Sequence, residues 1–163
     1  MKIQGRDTVA PSNILLVFPR EDENGEEYFI HFEAKMVTDY DVFDNLYPQP
    51  NPPVVTKKDG SEQFLVTDPE YLKAENAWGM ARTRWMILES LSVTEDLEWS
   101  TVEENDPETW GNYHDELIAA GFQPIEVTKI IQAALDANVI TDEKLIEAKQ
   151  RFLALKVVEL PQP

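Results

Sequence analysis

Apolar and polar positions change their period several times along this chain, and each change marks an element. Asn13 to Phe18 (NILLVF) is a short apolar run of strand formers, and Glu27 to Val37 (EYFIHFEAKMV) alternates. In the second run Tyr28, Ile30 and Phe32 fall on one side and Phe29, His31 and Glu33 on the other. Two such runs around Glu21-Asp22-Glu23-Asn24-Gly25 predict a β-hairpin with a connection several residues long. Residues 1–12 are polar and end in Ala10-Pro11-Ser12, the pattern of a loose arm. Tyr40, Val42 and Phe43 are spaced for a short helix or turn over Asp39–Leu46. From Tyr47 to Pro53 there are four prolines in six residues, which excludes helix and central strand and predicts an extended, polyproline-type path. Val54–Thr56 and Phe64–Val66 flank Lys57-Lys58-Asp59-Gly60 and predict a second hairpin with its turn at Asp59-Gly60.

The period then becomes helical. Asp68-Pro69-Glu70 combines a capping Asp, a Pro suited to the first helical position and a Glu favoured by the helix dipole. Tyr71, Ala74, Trp78, Ala81, Trp85 and Leu88 recur at steps of 3 and 4, so one apolar stripe predicts a helix to about Leu91. Leu72, Met86 and Leu91 widen the stripe. Gly79 costs this helix about 1 kcal/mol relative to Ala, and it offers room for another backbone to approach. Residues 92–106 read as an acidic linker. Three more helical patterns follow: Asp106-Pro107-Glu108 to Ala120, Gln123 to Asn138, and Thr141 to Leu155. Gly121 is placed to end the first and Pro124 to open the second. Val127, Ile130, Ile131, Ala134 and Leu135 make one apolar face; Leu145, Ala148, Phe152 and Leu155 make the next. Short connections predict that these helices pack on one another. Val157-Val158-Glu159-Leu160 before Pro161 is β-prone.

Strands before helices read as an α+β protein: a small antiparallel β portion from residues 13–66, a long helix and a C-terminal three-helix set. The predicted organisation is residues 1–91 for the hairpins, Pro-rich segment and long helix, 92–106 for the linker, and 107–163 for a helical subdomain.

Composition narrows the function. Hydrophobic residues are 42 % of the 163, enough for a real core. The net charge of −17, from 31 acids and 14 bases, argues against phosphate-backbone binding and against anionic membrane surfaces. No apolar run approaches the roughly 20 residues of a membrane span. Cysteine is absent, which removes disulfides, thiolate nucleophiles and Cys-ligated metals and suits a reducing compartment. Residues 1–6 lack a signal-peptide pattern, so a soluble intracellular protein is expected.

Candidate chemistry is sparse. His31 and His114 are the only histidines, and no HxH, HxxxH or HxxE spacing supports a metal or a general base, so structural or surface roles are expected. From Trp85 to Thr128 there are eleven acids and no Lys or Arg. These acids lack the alternating pattern of a calcium loop; a solvated face or a docking site for a basic partner accounts for them. No nucleophile elbow or phosphate loop is present, so neither cofactor nor catalytic residue is expected. Trp78 and Trp85 either pack the core against the hairpins or form a partner groove or oligomer face. Trp99, Trp110 and Tyr113, in or beside the acidic stretch, favour an interface. With Trp78 and Trp85, the candidate partner-binding residues are Val127, Ile131, Phe152 and Leu155, the last four on apolar faces wider than short helices need for packing alone.

Several stretches also carry a resemblance: Pro50-Asn51-Pro52-Pro53 then Asp59-Gly60, Asp68-Pro69-Glu70-Tyr71, Arg82-Thr83-Arg84-Trp85-Met86-Ile87-Leu88, Asp106-Pro107-Glu108-Thr109-Trp110-Gly111-Asn112-Tyr113, Leu117 to Phe122, Glu126-Val127, Ile130-Ile131, Ala137-Asn138, and Glu147 to Leu153. Over roughly residues 45–155 the chain resembles tail assembly chaperones of long-tailed bacteriophages. The likeness lies in helix signals and spacings, with no catalytic signature. It implies a non-enzymatic protein of the infected host's cytoplasm, absent from the mature virion. Its partner would be the tape measure protein, kept soluble until tail tube subunits replace the chaperone on it; self-association is an open option. In that family a frameshift-extended form often accompanies a short one. The competing reading is an acidic inhibitor or DNA mimic that blocks a host nucleic-acid-binding protein; acids concentrated in loops and linker weaken it.

Overall fold

The computed structural model describes residues 1–139 and 142–158. The order is α+β as expected: short antiparallel hairpins, then a long helix and further helices. The arm is not loose at its start. β1 (Lys2–Ile3) pairs with β2 (Arg6–Asp7) across Gln4-Gly5, both at positive φ, the conformation a two-residue hairpin turn requires.

The main hairpin pairs β3 (Ile14–Glu21) with β4 (Glu27–Ala34) from Ile14↔Ala34 to Glu21↔Glu27. β3 runs through Pro19, past the predicted end at Phe18. A two-stranded sheet has only edge strands, so a residue without an N–H is tolerated there. Alternation sends Phe18, Phe32 and Ala34 inward and leaves Leu15, Val17 and Phe29 on the opposite, open face. A short helix, α1 (Asp41–Leu46), buries Phe43 completely. The second hairpin pairs β5 (Val54–Thr56) with β6 (Glu62–Phe64), so the return strand begins two residues before the predicted Phe64.

Helix α2 (Pro69–Leu91) starts where its cap predicts: Asp68 Oδ1 accepts the Tyr71 N–H at 2.9 Å. A Cβ on Gly79 would meet nothing within 4 Å, so the expected close approach of another backbone there is corrected. The first of the late helices is shorter than expected. Asp106-Pro107-Glu108 forms turns, Trp110–Asn112 is a 3₁₀ turn, and α3 spans only Tyr113–Ala119. Gly121, at φ +95°, closes it: the Phe122 N–H reaches Leu117 and the Gly121 N–H reaches Ile118. Helix α4 (Pro124–Asn138) opens with a capping box between Gln123 and Glu126. Helix α5 (Asp142–Val158) includes Val157 and Val158, correcting their β-prone reading; the predicted start at Thr141 and residues 159–160 lie outside the described residues.

The main core packs the inner hairpin face and the second half of α2 on α3 and α4. Phe18, Phe32 and Phe122 meet edge to face at 5.4–6.4 Å, with Met86, Ile87, Leu91, Val127 and Ile130 around them. Residues 92–106 join this packing: Thr94 is buried, and Leu97, Trp99 and Val102 lie against the core. The expectation that α5 packs with its neighbours is corrected. Its described side chains are all exposed, and near its start Lys144 Nζ reaches the Asp136 carbonyl at 3.0 Å.

Candidate functional site

A second cluster is almost entirely aromatic. Phe43 sits at its centre, 5.8–5.9 Å from the rings of Trp78, Trp85 and Trp110. Tyr40 lies 5.4 Å from Trp85, and Arg82 caps Tyr40 at 4.1 Å, a cation–π contact. Trp78 donates its indole N–H to the Tyr47 carbonyl at 3.1 Å, which ties α2 to the start of the Pro-rich segment. Trp78 and Trp85 do share a face, but that face packs on α1 and the Trp110 turn, not on the hairpins.

Next to this cluster opens a groove of about 410 Å³. Trp85, Leu88 and Trp110 line its apolar floor, and Leu97, Trp99 and Val102 line one wall. Asp39, Glu89 and Glu104 bring carboxylates to its lining. Glu89 is already paired with Lys35 at 2.6 Å, and Asp39 accepts the Asp41 N–H at 2.8 Å. The Glu104 side chain has no ion-pair partner among the described residues, although its carbonyl accepts the Trp110 indole N–H at 3.1 Å. An apolar cleft with acids at its lining suits an amphipathic segment that carries lysine or arginine.

The segment forming the wall is held by polar closure. Glu116 accepts hydrogen bonds from Ser100 and from the Thr101 backbone and hydroxyl. Burial raises the Glu116 pKa, but these hydrogen bonds outweigh it and the net shift is downward. Farther away, Arg20 grips Glu126 with two bonds of 3.0 and 2.8 Å, joining the hairpin to the N-terminus of α4. That contact, followed by the Gln123 backbone N–H, lowers the Glu126 pKa.

The sequence-predicted residues divide among three places. Trp85, 6 % exposed, is both core and groove floor, with half-buried Trp78 beside it in the aromatic cluster. Val127 is 1 % exposed, so its reading as a partner-binding residue is corrected: it is buried in the main core with Phe18 and Phe32, and Ile131 is half-buried against the same core. Phe152 and Leu155, 53 % and 68 % exposed, stand on α5. The structure does not gather these six into one surface. Trp99 was read as an interface residue, but Leu97 and Val102 were missed because they lie in a segment read as linker; the signal was large apolar residues among its acids. His31 lies exposed on β4, and His114 lies exposed beside Asp115 on α3. Among the described residues no group of three or more His, Asp or Glu side chains is placed to hold a metal, and no helix is long and apolar enough to cross a membrane. No family model matches the chain, and no curated protein or solved structure does.

Proposed function

We propose that this chain is a non-catalytic tail assembly chaperone of a long-tailed bacteriophage. It binds apolar helical segments of the tape measure protein in the host cytoplasm and yields them to tail tube protein. The resemblance over residues 45–155 names the partner, and the groove walled by Leu97 and Trp99 is the observation that carries the binding mode. A helix needs a cleft with an apolar floor, and acids around it favour helices bearing basic residues over acidic ones.

Co-expression with the tape measure protein of the same phage tests this directly. The expected result is a soluble tape measure protein that co-purifies with this chain and is lost with Trp99→Ala. If the tape measure protein stays as insoluble with this chain as without it and no complex forms, the proposal fails. Partner affinity that collapses steeply with salt would instead favour the acidic inhibitor.

A further inference from the structure

Helix α5 stands off from the rest of the fold with a surface that water does not suit. Leu145, Phe152 and Leu155 form a stripe along it, with Ile146 and Leu153 beside them, all at least half exposed. A helix with that much apolar surface is covered in its working state. Its charge also differs from that of the body. Asp142, Glu143 and Glu147 are outnumbered by Lys144, Lys149, Arg151 and Lys156, within a chain of net charge −17. Lys149 and Lys156 are one heptad apart, which puts both inside the apolar stripe. The groove beside Trp99 carries the complementary features, an apolar floor with Asp39 and Glu104 at its lining.

We infer that α5 of one copy seats in the groove of a second copy, and that the exchange is reciprocal. Lys149 and Lys156 then face Asp39 and Glu104, while Phe152 and Leu155 cover Trp99 and Leu97. Asn138, the last residue of α4, lies 3.1 Å from the Ser90 hydroxyl, so α4 ends against the stretch of α2 that supplies Leu88, Glu89 and Ser92 to the groove lining. In the proposed dimer each α5 crosses to its partner's groove. A helix of this length is about 25 Å long. The dimer makes this contact twice, once at each groove. This inference concerns the same groove as the proposed function but holds whatever the partner is. In the dimer α5 occupies the site, and a partner helix has to displace it.

Light scattering after gel filtration over a range of micromolar concentrations tests the inference without any partner. The full chain is expected to approach the mass of two chains. Reversing Lys149→Glu together with Lys156→Glu should weaken the dimer tenfold or more, because like charges then oppose each other. Asp39→Lys with Glu104→Lys should do the same, and combining all four changes should restore the dimer. The α5 changes lie outside the core, so their unfolding midpoint measured on the monomer should match the parent. A full chain that stays monomeric, charge reversals without effect, or a mass that grows past two chains would each overturn the inference.

Discussion

Asn138 is the most informative residue to remove. Its Oδ1 accepts the Val37 N–H at 2.6 Å, and its Nδ2 lies near the carbonyls of Ala134 (2.7 Å) and Lys35 (3.2 Å) and near Ser90 Oγ (3.1 Å). Ser90, fully buried, donates to the same Lys35 carbonyl at 2.7 Å. One amide thus fastens the end of α4 to the strand exit and to α2. Asn138→Ala leaves the Val37 N–H without its acceptor, while the Lys35 carbonyl keeps Ser90. A lost hydrogen bond costs about 0.5–1.5 kcal/mol and an unsatisfied buried donor about 1–3 kcal/mol, so the expected loss is about 2–4 kcal/mol. With a urea slope near 2 kcal/mol/M, the midpoint should fall by about 1–2 M at unchanged slope. Ser90→Ala should cost less, about 1 kcal/mol, and the double variant less than the sum because the two share an acceptor. A loss below about 0.5 kcal/mol for Asn138→Ala would refute the reasoning.

Trp85→Ala should destabilise by about 3–5 kcal/mol in thermal or chemical unfolding, and Trp78→Ala by clearly less because it is half-buried. Gly121→Ala should cost about 1–2 kcal/mol in the same assay, since an L side chain is strained at φ +95°. The folded-state pKa of Glu126 lies below its ordinary 4.5, so its stabilising contribution is complete above that value and is lost as pH falls through the folded pKa. Stability of the parent should therefore fall more steeply with acid below about pH 4.5 than that of Glu126→Gln, read from denaturation midpoints across pH.

Local chemistry made much of the fold legible. The Asp68-Pro69 start, the Gly121 stop and the Gln123-Pro124 opening all act through atoms within a few residues of themselves, so the sequence displays them. What it hid was set by contacts across the chain. Asp106-Pro107 looks like Asp68-Pro69, yet Thr109 hydrogen-bonds back to the Asp106 carbonyl and to Glu103, making turns before Trp110 enters the core. Residues 92–106 looked like linker because acids dominate them; their apolar residues have no regular period, and only the fold shows that they turn inward. The groove was invisible for the same reason: Asp39, Trp85, Trp99 and Trp110 come from separate segments. The stripe on α5 was legible, but a periodic face reads the same whether it packs within the chain or faces outward.

The contact between Arg20 and Glu126 spans 106 residues, and it sets an order of events during synthesis. At about 5–20 residues per second, a ribosome that has made the hairpin needs roughly 5–20 s more to make the helix that covers it. Through that interval Phe18 and Phe32 have no lid. The acids of residues 89–116 emerge within the same interval, ahead of the helix that completes the lid.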